Sequence, residues 1–158
     1  MSAGTWESHH AITTLMYHYA ECIDAADFDG IAELFANGRI TNDGVAGAIE
    51  GPDAVRALYA GTNRVHADGT LRTRHLTTNV IVDIDEVAGS ATARSAFVVF
   101  QQTTELPLQP IVAGRYRDTF QRAGSDWRFD CRHIFVDQVG DVREHLSFDL
   151  SGFMDKRS

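Results

Sequence analysis

The stretch Leu71-Arg-Thr-Arg-His-Leu-Thr-Thr-Asn79 follows Asp68-Gly69, and at this point the hydrophobic pattern changes from a helical period to a strand period. Apolar residues that recur every third or fourth position are typical of an amphipathic helix, whereas alternation is typical of a half-buried strand. We therefore predict that the chain forms a sheet from here onward. Its long strands are expected at about 71–85, 90–104, 109–122 and 126–139.

The chain before this change carries helical patterns instead. Helices are predicted at about 7–23, at 28–36 and from 50–53 onward, where Pro52 stands in the first turn. A short strand is expected at 39–41, followed by a turn at 42–44. Helices that precede a strand meander indicate an α+β domain, with the helices packed on one face of a curved antiparallel sheet. Such an arrangement can enclose a pocket for a small molecule.

Composition limits the classes of function. The 158 residues carry a formal net charge of −8, which disfavours binding to nucleic acid or to an anionic membrane. No apolar stretch approaches the ~20 residues of a membrane span, and the N-terminus lacks the pattern of a secretory signal. Cys22 and Cys131 stand alone, which is typical of reduced core residues in a cytoplasmic protein. We expect one domain over 1–158, without a cofactor or a metal ion.

Asp24 and His75 are the residues whose chemistry is most informative. Asp24 lies at the end of the first predicted helix and His75 in the first long strand. A carboxylate that reaches an imidazole fixes its tautomer and stabilises its protonated form, so that the ring can move protons near neutral pH. We predict that the two side chains meet in one apolar pocket as a general base. The competing interpretations are a helix-end Asp and a structural strand histidine.

Several strings resemble the SnoaL-like branch of the nuclear transport factor 2-like superfamily, which includes scytalone dehydratase, bile-acid 7α-dehydratase and hexachlorocyclohexane dehydrochlorinase. The strings span the chain: Tyr19-Ala-Glu-Cys-Ile-Asp24, Ile49-Glu-Gly-Pro-Asp-Ala-Val55, Thr70-Leu-Arg-Thr-Arg-His75, Gly114-Arg-Tyr-Arg-Asp-Thr-Phe120 and Trp127-Arg-Phe129. The resemblance implies a cone-shaped, mixed or antiparallel sheet wrapped around a pocket, with three helices on its concave side. It also implies that His75 is the catalytic base and Asp24 its carboxylate partner.

The resemblance is incomplete elsewhere in the pocket. Phe97 stands where scytalone dehydratase has a second histidine, Asn42 where it has a tyrosine, and Tyr116 where it has an asparagine. A different substrate is therefore expected. The side chains expected to contact it are Tyr19, Asn42, Tyr59, Asn79, Phe97, Tyr116 and Arg132.

Arg132, in the last predicted strand, is either a solvated strand charge or an inward-facing residue. If it faces the interior, it neutralises a substrate oxyanion or pairs with Asp24, because a buried arginine needs a partner. His133 would then face the other side of the strand.

These observations favour a cofactor-independent lyase or isomerase that acts on a small apolar cyclic molecule such as a polyketide, steroid or terpenoid. Two alternatives remain open: a non-catalytic ligand-binding or assembly subunit like the small subunit of ring-hydroxylating dioxygenases, and an aldol-type cyclase or epoxide hydrolase that uses Asp24 directly. Apolar residues on the outer sheet face and in the tail from His145 to Phe153 favour a homo-oligomer, either a dimer or a trimer.

Overall fold

Three helices and six strands form the described part of the chain, residues 3–148 of a computed structural model. The helices are α1 (Ala3–Asp24), α2 (Phe28–Leu34) and α3 (Pro52–Thr62). The strands are β1 (Arg39–Asn42), β2 (Val45–Glu50), β3 (Thr73–Asp85), β4 (Ser90–Gln101), β5 (Gln109–Ala123) and β6 (Asp126–Val139). The predicted helices and long strands are confirmed within a few residues at each end.

All six strands join one open sheet in the order β2-β1-β6-β5-β4-β3. β1 pairs with β6 in parallel and the other neighbours pair antiparallel, so the sheet is mixed. The helices cover one face of the sheet, and α1 packs against β3 and β6. This architecture confirms the α+β, cone-like fold class that the sequence indicated.

Strand β2 was absent from the predicted elements. Its sequence, Val-Ala-Gly-Ala-Ile-Glu, contains only two β-branched residues, so its strand signal is weak. The structure nevertheless pairs Arg39 with Glu50 and Ile40 with Ile49 across the Asp43-Gly44 turn. The turn predicted at 42–44 is therefore the tip of a hairpin, since Asp-Gly is a typical two-residue hairpin loop.

A β-bulge at Asn79 corrects the predicted face of β3. Asn79 has a left-handed backbone, with φ of 53°, and the pairing of β3 with β4 shifts between Thr78 and Ile81. The extra residue reverses the alternation, because each one-residue shift turns a strand's side chains to the opposite face. Ile81 was expected on the same face as His75 but is exposed, whereas Val80 packs against the core.

A buried ion pair occupies the interior between β5 and β6. Asp118 and Arg132 are cross-strand neighbours, joined by Nε–Oδ1 and Nη2–Oδ2 hydrogen bonds of 2.8 and 2.7 Å, and neither side chain is exposed. The guanidinium carbon lies 4.2 Å from the ring centre of Tyr19 and 4.1 Å from that of Tyr116. Arg132 faces inward, so the interpretation as a solvated strand charge is wrong, and so is the alternative in which it pairs with Asp24: its partner is Asp118. Burial alone would lower the pKa of Arg132, but Asp118 holds this pKa above its ordinary value.

Phe97 and Tyr116 stack in the same interior, with ring centres 4.4 Å apart and ring planes 15° apart. Gly114 makes room for this pair, because a Cβ there would lie 2.8 Å from the Phe97 ring and 2.0 Å from the carbonyl oxygen of Phe135. The centre of the cone is thus packed with aromatic rings around an ion pair.

Part of the apolar tail expected to need burial, residues 149–153, lies outside the described residues. In the part that is described, His145 is buried and Phe148 is exposed.

Removal of one partner of the buried pair should destabilise the protein strongly. We expect Asp118→Asn to lower the free energy of unfolding by about 3–5 kcal/mol, since it leaves a buried charge without a counter-ion. The matched control is Asp137→Asn, which breaks the bidentate but exposed Arg115–Asp137 pair on the outer face. That change should cost about 0–1 kcal/mol. Urea denaturation measures both, and similar costs for the two variants would contradict this account.

Candidate functional site

Asp24 and His75 meet where the end of α1 crosses the start of β3. Helix α1 ends at Asp24. The backbone N–H of Leu71 donates to the Asp24 carbonyl over 3.4 Å, which holds the end of α1 beside the start of β3. The Nδ1 atom of His75 lies 2.7 Å from Oδ1 of Asp24. The two side chains are only 8% and 12% exposed, so this contact is largely shielded from water. The two side chains thus make the contact that the sequence predicted.

The Asp24 carboxylate accepts two further hydrogen bonds from β3. The Thr73 hydroxyl donates over 2.7 Å, and the backbone N–H of His75 donates over 2.9 Å to Oδ2. Burial alone would raise the pKa of Asp24, but the bonds from His75 and Thr73 outweigh burial and lower this pKa below its usual value. Asp24 therefore stays ionised and acts as acceptor, which assigns the donated proton to Nδ1 of His75. The second ring nitrogen, Nε2, makes no hydrogen bond within residues 3–148.

A second imidazole, that of His145, lies beside His75. The two ring centres are 6.3 Å apart. His145 is 7% exposed, and its Nδ1 is buried without a hydrogen-bond partner in the described structure. Burial and the adjacent His75 lower the pKa of His145 from 6.5 to about 4, so the ring is neutral at pH 7. Sequence analysis assigned no site role to His145, because 70 residues separate it from His75 and no spacing motif connects them.

The three predicted site tyrosines share the interior. The hydroxyls of Tyr19 and Tyr59 lie 2.6 Å apart and form a hydrogen bond between α1 and α3. Burial is the largest cause that raises the pKa of Tyr116, and the charge of Asp24 contributes to the same shift. Tyr116 therefore lies within electrostatic range of the Asp24–His75 pair.

The remaining predicted contacts occupy other places. The Asn42 side chain accepts the backbone N–H of Gly44 over 2.9 Å and so supports the hairpin turn. Asn79 is exposed at the bulge, and Phe97 and Arg132 are buried in the packed centre. His133 faces the outer side of the sheet, as predicted, where its Nε2 lies 2.9 Å from Asp43.

An open cleft of about 520 Å³ reaches the carboxylate side of the pair. Its walls are formed by the end of α1 and by one end of β3 and β4, and include Glu21, Asp24, Arg72, Thr73, Arg74 and Gln101. His75 is not among its lining residues, so the cleft approaches the pair from the Asp24 side.

Sequence reasoning missed two buried residues, Asp118 and Gln101, and only Asp118 carried a signal in the sequence. Asp118 could have been found, because the hairpin turn at 123–126 sets a register that brings it within one residue of Arg132. Gln101 carried no such signal. Its buried amide donates to the carbonyls of Leu71 and Glu144 over 3.0 and 2.9 Å, and both partners are distant in sequence.

Across residues 3–148, no three His, Cys, Asp or Glu side chains are grouped so that they could hold a metal ion. In the same range, no helix is long and apolar enough to cross a membrane.

The low pKa of His145 predicts a specific acid sensitivity. Between pH 6.5 and about 4 the unfolded chain binds a proton at this residue and the folded chain does not, so stability falls as the pH falls. The shift corresponds to about 3 kcal/mol. Urea denaturation across this range should show a shallower pH dependence for His145→Phe than for the unmodified chain or for His10→Asn, an exposed control. Equal slopes would contradict the assignment.

Comparison with known proteins places the chain among relatives of several kinds. The SnoaL-like domain family matches residues 4–133. The benzene 1,2-dioxygenase subunit beta of Pseudomonas putida is 39% identical over 79 residues, which are 49% of this chain and 42% of that subunit. The match thus spans less than half the length of this curated relative.

Two solved structures resemble the chain over most of its length. A nuclear transport factor 2-like protein with a cystatin-like fold from Novosphingobium aromaticivorans is 25% identical, has a TM-score of 0.70, and aligns over 84% of this chain and 83% of its own. A protein of unknown function from Mycobacterium tuberculosis is 26% identical with the same TM-score, over 93% of this chain and 81% of its own. The chain therefore belongs to the SnoaL-like domain family and has the nuclear transport factor 2-like fold.

Proposed function

We propose that the protein is a cofactor-independent lyase or isomerase in which His75, held by Asp24, removes a proton from carbon. The observation that supports this proposal most directly is the shielded 2.7 Å contact between Nδ1 of His75 and Oδ1 of Asp24. A histidine needed only for packing would not require an ionised carboxylate held in place by two further donors.

The proposed chemistry begins with a C–H bond next to a carbonyl or another electron-withdrawing group. Nε2 of His75 takes the proton, and the electron pair moves onto the carbonyl oxygen. Asp24 stabilises the resulting imidazolium. The electrons then return either to expel a β-hydroxyl, which takes the proton from the His75 imidazolium and leaves as water, or to take up that same proton at another carbon. The first outcome is dehydration and the second is isomerisation.

The interior favours a small, apolar, cyclic substrate. Beyond the pair, the interior of the sheet is aromatic, because Tyr116 stacks on Phe97 and its ring also meets that of Tyr19 edge-on. The rings of Tyr19 and Tyr59, whose hydroxyls bond to each other, extend this aromatic interior to α3.

The proposal predicts loss of proton exchange when His75 is replaced. The measurement is deuterium uptake at the α-carbons of 2-tetralone, a compact bicyclic ketone, followed by NMR in D₂O. We expect His75→Gln to slow the exchange on the order of 10²–10⁴-fold, because it removes the base. Asp24→Asn should also slow it, because it removes the carboxylate that holds the base in place. Circular dichroism checks that each variant is folded.

The chain contains a matched control for this experiment. His133 also contacts a carboxylate, that of Asp43, but on the outer face of the sheet. His133→Gln should leave the exchange rate unchanged. Unmodified protein that does not exceed the buffer rate, or full activity in His75→Gln, would contradict the proposal.

A second candidate is an assembly subunit, which the similarity to dioxygenase β subunits favours. The outer sheet face and its margin also expose large apolar side chains, among them Leu76, Ile81 and Leu108. We propose that this face joins copies of the chain, or a second kind of subunit, because an exposed apolar patch is typical of an interaction surface.

This candidate makes its own prediction. Light scattering after gel filtration should show a dimer or trimer for the unmodified chain and a smaller species for Leu76→Glu, since a charge in the contact is costly to bury. The matched control is Val87→Glu, at an exposed loop position, which should not change the mass. A monomeric unmodified chain would contradict self-association.

The use of Asp24 as the direct base of an aldol-type cyclase or an epoxide hydrolase is separable by the pH–rate profile. A carboxylate base and an imidazole base ordinarily titrate about two units apart. A rate that declines only below about pH 4 would favour Asp24 over His75 as the base.

A further inference from the structure

We propose that His145 is a second catalytic residue of this site, whose Nε2–H donates a hydrogen bond to the substrate oxygen while His75 removes the proton from carbon. The inference rests on the function proposed above and assigns the group that handles the developing negative charge. It concerns a residue that lies beyond the segment 4–133 shared with the SnoaL-like family.

The spacing of the two imidazoles is the first support. Their ring centres are 6.3 Å apart and their planes are inclined by 61°. This separation is larger than that of two imidazoles that hydrogen-bond to each other, because such a bond brings the two nitrogens to about 3 Å. An enolisable C–C–O group that lies against the edges of both rings would place its carbon toward one nitrogen and its oxygen toward the other.

The unpaired nitrogen of His145 is the second support. Nδ1 is enclosed and has no hydrogen-bond partner in the described structure. A buried N–H without an acceptor is more costly than an unpaired acceptor, so the ring favours the tautomer with its proton on Nε2. Nε2–H is then the donor that a ligand can use. A histidine kept only for stability is ordinarily paired through its buried nitrogen.

The protonation state suits a donor that stays uncharged. The titratable groups that act on His145 are His75, Asp24 and His66, and the first and third lower its pKa while Asp24 raises it. Burial is the largest influence and keeps the ring neutral at pH 7. His66 is itself engaged with the carbonyl of Glu144 over 2.9 Å. The two imidazoles therefore differ in environment, which separates the donor from the base.

The polypeptide also holds His145 firmly toward His75. The backbone N–H of Arg64 donates to the His145 carbonyl over 2.8 Å. Gln101, 1% exposed, links the carbonyl of Glu144 to that of Leu71 through one amide nitrogen. The segment that carries His145 is thus fastened to the start of the strand that carries His75. These bonds hold the backbone of His145 beside the Asp24–His75 pair.

The test compares His145→Phe with His145→Gln in the 2-tetralone exchange assay. Phenylalanine keeps the size of the ring but has no donor, whereas glutamine keeps an N–H. We expect His145→Phe to lower kcat on the order of 10²–10³-fold with little change in KM, as removal of an oxyanion donor does, and His145→Gln to recover part of the loss. His133→Gln is again the control. Equal activity of His145→Phe and the unmodified protein would overturn the proposal.

A second measurement needs no turnover and no variant. In ¹⁵N-labelled unmodified protein, NMR of the imidazoles should show His145 protonated at Nε2 at pH 7. Addition of 2-naphthol, a planar analogue of the enol, should shift this resonance. A proton on Nδ1, or a resonance that 2-naphthol does not move, would overturn the proposal even if His145→Phe fails to fold.

The outcomes separate this inference from the function on which it rests. Loss of exchange in His75→Gln with full exchange in His145→Phe would refute the donor and retain the base. Full exchange in His75→Gln would refute the base itself.

Discussion

The arrangement of this site depends on the hydrogen bonds that the Asp24 carboxylate accepts. Asp24 terminates α1 and accepts hydrogen bonds from the Thr73 hydroxyl and from both the backbone and the ring of His75. One side chain therefore fastens the longest helix to the edge strand β3 and sets the tautomer of the imidazole. Because the hydrogen bonds from His75 and Thr73 outweigh the effect of burial on its pKa, the carboxylate remains ionised. Structure and proposed chemistry share the same bonds.

The packed centre of the cone limits the space near the Asp24–His75 pair. Arg132 is sandwiched between Tyr19 and Tyr116 and is neutralised by Asp118. This cluster fills the centre of the cone, and the Asp24–His75 pair lies at the end of the sheet where α1 crosses the start of β3 and the segment around His145 approaches. For the function proposed above, this end of the sheet offers two imidazoles to a small ring system with a single polar group.

The same architecture serves both candidate functions. The inner face carries the Asp24–His75 contact on which the proposed proton transfer rests, and the outer face carries exposed apolar residues and another histidine–carboxylate contact, that of His133 and Asp43. The similarity to dioxygenase β subunits and the proposed proton transfer are therefore compatible with one fold, because alternation along each strand separates the two faces. Function in such a fold depends on the site and not on the architecture.

The sequence by itself determined the types and the order of the long elements, because the period of apolar residues is a local property that each segment carries alone. It also marked Asp24 and His75 as chemically important and placed Arg132 and His133 on opposite faces. Only the tertiary structure decided the partners. Arg132 bonds Asp118 because of strand register, and Val80 replaces Ile81 inside because of the bulge at Asn79. His145 reaches His75 because the segment after β6 bonds to the end of α3 and lies beside the start of β3. Such pairings depend on contacts between residues far apart in the chain, which no local pattern encodes.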